Sequence, residues 1–194
     1  MERKKVFILL GHPDRSTKSG KYADIYEKGA REAGHEIRRI NIGELNFDPL
    51  LHKGYKEIQE LEPDLVRVQE AFTWADHIAI FYPNWWCTMP AILKGMFDRM
   101  FLPGFAFKFN KEKDYAWEKL LSGRSARVVI TALAHPLYIR FKFGDCTNEI
   151  SKAILGFSGI DPVRVKILGP CHKVTEKTKK EWEEEIYEYG VKAI

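Results

Sequence analysis

The chain has 194 residues, of which 45% are apolar and 30% charged, and its formal net charge is +4. This composition is typical of one globular domain of ordinary size, here residues 1–194, and it excludes a disordered chain. It contains no block of five or more Lys and Arg residues and no apolar run near 18 residues. We therefore expect neither nucleic-acid binding nor stable membrane insertion.

Two features of the sequence predict the cellular compartment of the protein. The basic start is followed by an apolar run, Val6–Leu10, that is too short for a secretory signal, so a buried first strand is expected instead. The three cysteines, Cys87, Cys146 and Cys171, are odd in number and far apart, which is not a disulfide framework. Both features indicate a cytoplasmic protein.

Apolar runs rich in β-branched and aromatic residues alternate with helical patterns along the chain. Near-continuous apolar runs are typical of strands buried on both faces of a parallel sheet. The predicted strands are 4–11, 35–42, 75–83, 125–133 and 162–169, and the predicted helices are 19–33, 64–75, 89–101, 147–157 and 175–190. This alternation predicts an α/β fold, a flavodoxin-like three-layer sandwich with a five-stranded parallel sheet of order 2-1-3-4-5.

The first strand leads into a helix through the polar loop GHPDRSTKS, residues 11–19. The free backbone N–H groups at a helix start favour an anion, and the loop adds hydroxyl and cationic side chains. The spacing matches neither of the common glycine-rich phosphate motifs. Plain helix capping explains the Ser and Thr residues equally well, but the position after strand one favours phosphate. The candidate phosphate ligands are His12, Arg15, Ser16, Thr17, Lys18 and Ser19.

The loop after the third predicted strand, YPNWWCTMP, carries two adjacent tryptophans. In a 2-1-3-4-5 sheet this loop faces the first one, so one loop can hold a phosphate and the other can cover a planar ring. A flavin has both parts. Pro83, Asn84, Trp85 and Trp86 are therefore candidate ring-binding residues. The alternative is that one tryptophan packs in the core and the other covers a subunit contact.

The block from Pro83 to Phe107 resembles the NAD(P)H:quinone oxidoreductases, which include general stress and potassium-efflux accessory flavoproteins. The matching residues are Pro83-x-Trp85-Trp86, Pro90-Ala91-x-Leu93-Lys94-Gly95, Asp98-Arg99 and Pro103-Gly104-Phe105-Ala106-Phe107. Gly11-His12-Pro13 with Thr17 and Ser19 resembles the phosphate turn of that family.

The resemblance implies a flavoenzyme in which NAD(P)H gives a hydride to flavin N5 and a quinone or similar aromatic acceptor then takes two electrons by a ping-pong mechanism. It favours FAD, with FMN as a close alternative. Phe105 and Phe107 are then candidate walls of the acceptor site. Phe105, Phe107 and Phe109 alternate in what we expect to be an extended segment. They cannot all pack in one subunit, so a homodimer is predicted.

The family binds the flavin ring again after the fourth strand, through a flexible turn followed by Tyr and a downstream His. Here Thr131 matches, while Ala132 and Leu133 replace flexible residues, and Tyr138 is the candidate catalytic tyrosine. A core role for Tyr138 is an equal alternative. The downstream His is absent, and Thr147 or Asn148 stands near its place.

The histidines have no partners at metal-ligand spacing, so no metal site is predicted. Lys94 and Arg99 could serve structure, a dimer contact or the 2′-phosphate of NADPH, with structure favoured. Two alternatives to the reductase remain: an electron carrier of the flavodoxin kind, and a flavin-binding regulatory subunit of a membrane transport system. Carriers are typically acidic, whereas this chain is basic.

Overall fold

The computed structural model describes residues 2–110 and 116–194. Its strands, in chain order, are β1 Lys5–Leu10, β2 Glu36–Asn41, β3 His77–Pro83, β4 Phe107–Phe109, β5 Trp117–Lys119, β6 Ser125–Thr131 and β7 Val163–Leu168. Its α-helices are α1 Lys18–Glu32, α2 Pro63–Trp74, α3 Ala91–Met100, α4 Pro136–Phe143 and α5 Glu176–Lys192. A 3-10 turn spans Ile42–Glu44 and a π-helix spans Glu149–Gly156.

Five strands form one parallel sheet of order β2-β1-β3-β6-β7, which confirms the predicted fold and strand order. Its central strands are apolar on both faces because helices cover both. Phe7 and Leu9 face the layer that contains α2, α3 and the π-helix. Val6, Ile8 and Leu10 face the layer of α1 and α5. The result is a three-layer sandwich.

Helix α1 follows the sequence signals at both of its ends. Thr17 is the N-cap, and its hydroxyl accepts a hydrogen bond from the backbone N–H of Gly20. Gly34, with φ of +81°, lies just beyond the C-cap Ala33. A residue with a side chain is strained in that conformation, which is why glycine ends the helix there.

The structure contains two elements that the sequence analysis did not predict. One is α4, directly after the β6 loop. The other is a short antiparallel hairpin of β4 and β5. The hairpin corrects the expected extended segment from Phe105 to Phe109, because Phe105 lies in the turn before β4 and packs against Phe101 at 5.7 Å between ring centroids.

Residues 45–62 contain no helix or strand, as the sequence suggested, and one arginine holds much of this segment in place. The fully buried Arg99 guanidinium donates to the backbone oxygens of Asp48 and Glu60 and to the Glu62 carboxylate. Arg99 therefore has a structural role, as favoured from the sequence. Among the described residues, no helix has the length and apolar character needed to cross a bilayer.

Candidate functional site

The carboxyl-terminal edge of the sheet brings four connecting loops together. They are residues 11–17 after β1, 84–90 after β3, 132–135 after β6 and 169–175 after β7. The chain leaves β1 and β3 toward opposite faces, since α1 and α3 lie in different layers. Open α/β sheets bind ligands at such a switch point.

The first loop is folded by its own side chains. His12 Nδ1 accepts a hydrogen bond from the Asp14 backbone N–H at 2.8 Å, and Asp14 Oδ1 accepts one from the Ser16 N–H at 2.7 Å. The Thr17 hydroxyl donates to the Asp14 carbonyl at 3.2 Å while capping α1. These bonds fix the path of the backbone into the first turn of the helix. The Thr17 hydroxyl thus has the capping role that the sequence left as an alternative.

Several backbone donors remain at this edge after the internal bonds are counted. Within residues 2–110 and 116–194, the N–H groups of Lys18, Ser19, Trp86 and Leu133 have no acceptor. Two of them belong to the first turn of α1, where the helix dipole favours an anion. This donor set fits a phosphate at the first loop and polar ring edges at the other two loops.

The tryptophan pair lies in a tight and strained turn. Trp85 and Thr88 exchange two backbone hydrogen bonds of 3.0 and 3.1 Å, and the two residues between them, Trp86 and Cys87, have φ of +54° and +62°. Side-chain-bearing residues adopt this left-handed conformation at a cost of about 1–2 kcal/mol each. Strain of this kind is concentrated at ligand sites. The turn leaves the Trp86 side chain 99% exposed, whereas Trp85 is only 43% exposed.

Direct contacts join the first loop to the other two. The His12 ring meets the Trp85 ring edge to face, with centroids 5.4 Å apart. The buried hydroxyls of Ser19 and Thr131 are hydrogen-bonded at 2.8 Å, and the Asn84 N–H donates to the Thr131 carbonyl at 2.7 Å. Residues predicted separately from three loops are thus neighbours in space.

Ala132 and Leu133 differ in their surroundings. The Ala132 N–H donates to Leu168 and its carbonyl accepts from Cys171, so its backbone is already paired. The Leu133 side chain is exposed beside this pairing. Of the two, only Leu133 offers both a free N–H and an apolar side chain to a ligand.

The side chains of three other predicted residues already contact groups within the protein. The Arg15 guanidinium lies 3.7 Å from the Asp24 carboxylate, and both groups are more than half exposed. The Lys18 ammonium donates to the carbonyl of Cys171 in the β7 loop. The Ser19 hydroxyl is buried against Thr131, so its backbone N–H is the group left for a ligand.

The predicted catalytic and acceptor-site residues lie on separate elements. Tyr138 is on α4, with its side chain more than half exposed and its ring 6.3 Å from that of Phe143. The Phe107 ring packs on Phe157 at 5.0 Å and on Phe109 at the same distance. Phe105 packs against Phe101 in the core layer. The roles of these residues remain predictions.

Two contributors to this edge were not predicted from the sequence. A cavity of about 400 Å³ opens beside the first turn of α1, and its lining includes Lys18, Lys21, Lys179, Trp182 and Glu183. The position of helix 175–190 after the fifth strand was the available signal. In addition, the Thr88 hydroxyl donates to the Glu149 carboxylate, which ties the tryptophan turn to the π-helix.

Two of the cysteines near the site are poorly suited to act as nucleophiles. Burial raises the pKa of the Cys146 and Cys171 thiols, so they stay protonated at neutral pH. Burial also raises the pKa of the Tyr82 hydroxyl well above its ordinary value. Near the position of the absent histidine, hydrogen bonds from Thr147 lower the pKa of Asp145. The edge can bind and orient a planar cofactor, and the cofactor would supply the chemistry.

Comparison with known proteins identifies the class. The profile of a family described as having the flavodoxin-like fold matches residues 4–192, and the chain therefore belongs to that family. The predicted resemblance to NAD(P)H:quinone oxidoreductases is confirmed by similar proteins that carry such names.

Two curated relatives are similar in sequence. One is an uncharacterized NAD(P)H oxidoreductase of Haemophilus influenzae, 27% identical over 181 residues, which cover 89% of this chain and 87% of the relative. The other is NAD(P)H dehydrogenase [quinone] 1 of Rattus norvegicus, 26% identical over 130 residues, covering 56% of this chain. The match spans only 47% of the rat protein, about half its length.

Two solved structures share the fold. The NAD(P)H:quinone oxidoreductase from Methanothermobacter marburgensis has a TM-score of 0.80 and 24% identity, with 98% of each chain covered. An FMN-dependent NADH-azoreductase from Bacillus anthracis, in complex with FMN, has a TM-score of 0.76 and 18% identity, covering 97% of this chain and 98% of the other.

Proposed function

We propose that this protein is a flavin-dependent NAD(P)H oxidoreductase that reduces a quinone or a similar small aromatic acceptor. The observation that carries the proposal is the carboxyl-terminal edge of the sheet, where free backbone donors at the first loop face a strained tryptophan turn across the β1–β3 switch point. The names of the relatives support the same activity. A bound flavin would take a hydride from NAD(P)H and pass two electrons to the acceptor.

Different residues of this chain are proposed to bind different parts of the flavin. The N–H groups of Lys18 and Ser19, with the Ser16 hydroxyl and the Arg15 guanidinium, suit the flavin phosphate. Trp85 is held edge-on by His12, so its ring is preorganised to cover one part of the flavin ring system. The N–H groups of Trp86 and Leu133 suit the polar edge of that ring system. None of these groups needs to change protonation state.

We propose FAD as the cofactor, with FMN as the alternative that the azoreductase structure favours. The support for FAD is the cavity beside the phosphate loop, which is lined by three lysines and by Trp182, whose ring would suit stacking on a base. Lys21 and Lys179 are paired there with Glu183 and Glu176, so a second phosphate would have to replace these carboxylates. Heat-released cofactor separated by HPLC against both standards decides the question, and FMN alone would overturn the preference.

The acceptor site is proposed to use aromatic walls. Phe107 and Phe109 line a largely apolar groove together with Leu51, residues 54–59, Leu102 and Pro103. A flat acceptor suits such walls. Tyr138, on α4, is the proposed hydrogen-bonding residue of the reaction. If donor and acceptor occupy one pocket in turn, initial rates at several fixed acceptor concentrations should give parallel double-reciprocal lines.

We also propose a homodimer. Tyr55, Ile58 and Phe109 are exposed around the same groove, and exposed apolar side chains grouped in this way are typical of an interaction site. A twofold partner would cover it and wall the acceptor site, in a contact expected to exceed roughly 1,000 Å². Light scattering at micromolar concentration tests this, and a fully active monomer would refute it. The three free thiols are consistent with the cytoplasm as the proposed compartment.

One experiment tests the activity itself. The purified protein should be yellow, and anaerobic NADH or NADPH should bleach the flavin absorbance within the time of an assay. A yellow protein that ignores both nucleotides would favour the electron carrier instead. A colourless protein that does not bind added FAD or FMN would remove the flavin proposal altogether.

A further inference from the structure

The tryptophan turn, residues 85–88, has a backbone form that its own residues do not favour. Trp86 and Cys87 both have positive φ, a combination that two-residue turns usually build from Asn and Gly. The two backbone hydrogen bonds between Trp85 and Thr88 close the turn, but they do not remove this strain. Strain of this kind persists only where surrounding groups hold the backbone in place. The turn therefore depends on a support outside itself.

One side-chain hydrogen bond supplies such a support. The Thr88 hydroxyl donates to the carboxylate of Glu149, the first residue of the π-helix. In the part of the chain that the structure describes, no other side-chain hydrogen bond joins residues 85–88 to another element. Hydrogen bonds to a carboxylate are roughly twice as strong as those between neutral groups. This bond therefore suits the task of holding a strained turn.

The Glu149 end of this bond is fixed in position. Ile150 and Leu155, on the same π-helix, are completely buried in the core cluster. The Ser151 hydroxyl donates to the Thr147 carbonyl at 2.7 Å and fixes the start of the helix. Segments of π-helix are rare, and they are frequently found at functional sites. The carboxylate is thus held by a buried helix and provides a rigid support for the turn.

We propose that Glu149 is a positioning residue of the flavin site. Through Thr88 it holds the tryptophan turn in the strained form that presents the Trp85 ring and the Trp86 N–H to the flavin. The inference rests on the proposed flavin-binding function. Because the bond already carries the strain in the free protein, the cofactor meets a preorganised turn and does not have to force it into shape. The role requires an acceptor oxygen at position 149 and not a negative charge.

Fluorescence titration of the apoprotein with FAD and with FMN tests this role. Thr88→Val removes the donor at nearly constant volume, and Glu149→Ala removes the acceptor. Each should weaken flavin binding by about tenfold, which corresponds to the strain at one left-handed residue. Thr88→Ser and Glu149→Gln keep the hydrogen bond and should bind flavin nearly as well as the native protein. Thr73→Val is the matched control, because it removes an exposed hydroxyl from α2.

A substitution that relieves the strain separates positioning from other roles. Glycine adopts the left-handed conformation of residue 87 at no steric cost. Cys87→Gly should therefore restore most of the flavin affinity that Thr88→Val loses. If Thr88 bound the flavin directly, or only stabilised the fold, Cys87→Gly would restore nothing. The proposal is overturned by a Thr88→Val protein with native flavin affinity, and equally by a defect that Cys87→Gly does not suppress.

A second measurement needs no cofactor. Amide hydrogen exchange of the apoprotein, followed by NMR, reports on the Trp85 and Thr88 N–H groups that are bonded across the turn. Both should exchange about tenfold faster in Thr88→Val and slow again when Cys87→Gly is added. Unchanged exchange in Thr88→Val overturns the positioning role alone. A native protein that binds neither FAD nor FMN overturns the proposed function and the positioning role with it. Circular dichroism of each variant shows that it is folded.

Discussion

At the scale of single residues, the strained backbone of the tryptophan turn is the kind of feature that marks a ligand site. Trp86 and Cys87 occupy a conformation that glycine or asparagine would adopt more easily. The strain persists because Trp85 and Thr88 close the turn with two hydrogen bonds and Thr88 is tied to Glu149. In this strained turn the Trp85 indole packs against His12 and the Trp86 indole lies in solvent.

Replacing Trp85 with Ala should weaken flavin binding by roughly tenfold or more, because the variant loses an aromatic surface of the kind on which planar rings stack. Fluorescence titration of the apoprotein measures the change. Trp74→Ala is the control, because that ring lies under Arg38 at the far end of α2. Equal flavin affinity in the Trp85 variant and the native protein would show that the ring is not bound there.

Glu62 gives a prediction about acid stability. Desolvation is the largest influence on its carboxyl and acts to raise the pKa, but hydrogen bonds from Arg99 and the Asp48 N–H bring the net pKa below its ordinary value of 4.5. A carboxyl with a depressed folded-state pKa stabilises the fold above its unfolded pKa and loses that contribution as pH falls through the folded value.

The variant Glu62→Gln should therefore be less stable than the native protein by about 1–2 kcal/mol at pH 7, and the difference should shrink as pH falls below about 4.5. Urea unfolding at a series of pH values measures it. Glu184→Gln, at an exposed position on α5, should show little difference at any pH. A gap between native protein and Glu62→Gln that stays constant with pH would contradict the assignment.

Much of the candidate site could be predicted from the sequence. The features that could not be predicted have identifiable physical reasons. The loops 11–19 and 83–86 were predicted because each combines a strand end with distinctive residue types. The sequence left open whether the Thr17 hydroxyl caps the helix or binds phosphate, since both roles suit the same residue type, and the burial of the Ser19 hydroxyl against Thr131 was not predicted. The Thr88–Glu149 contact joins residues 61 positions apart, and nothing local encodes it.

At the scale of elements, α1 and α5 pack at a crossing made by two glycines. A Cβ on Gly190 would lie 2.1 Å from the Tyr26 carbonyl oxygen, and one on Gly29 would lie 2.4 Å from that of Tyr187. Both obstacles are backbone atoms, which cannot move aside as a flexible side chain can. The two helices approach closely because neither has a side chain at the contact.

Gly190→Ala should lower the melting temperature by roughly 3–10 °C, because overpacking at a close helix contact costs about 1–3 kcal/mol even though alanine favours a helix. Differential scanning calorimetry measures the shift. Glu184→Ala, a surface substitution on the same helix, should change little. A Gly190→Ala protein that melts at or above the native temperature would show that the helices can separate without cost.

The two unpredicted elements were hidden for opposite reasons. The apolar residues of α4 have the spacing of a helix but face solvent, so a search for a buried stripe passes over them. Strands β4 and β5 are three residues each and pair with each other outside the main sheet, which leaves too short a run for alternation to be visible. The five long strands were predictable because burial on both faces makes them continuously apolar.

At the scale of the whole molecule, the last helix completes the layer that the first helix begins. Tyr22, Ala23 and Tyr26 of α1 form one apolar cluster with Ile186 and Ala193, on the same face of the sheet. The C-terminal residue also serves the sheet, because the Arg127 guanidinium donates to the Ile194 carbonyl at 2.8 Å and lies over the Tyr189 ring. Neither helix covers this face alone.

A fragment of residues 1–168, which has all five strands of the main sheet but not α5, should therefore fail to unfold cooperatively. Circular dichroism and tryptophan fluorescence during urea denaturation measure this. Adding a peptide of residues 169–194 should restore a cooperative transition, because the missing contacts lie on one continuous segment. A sharp, native-like transition in the fragment alone would contradict the dependence on α5.

The α1–α5 contact also has a consequence for the order of events during protein synthesis. The ribosome releases α1 early, yet the surface that α1 must cover remains open until α5, which lies at the other end of the chain, has emerged from the exit tunnel. One layer of the sandwich can assemble before α5 is synthesised, and the other must wait for α5. During that interval the nascent chain exposes the tyrosines of α1, which is the kind of apolar surface that chaperones bind.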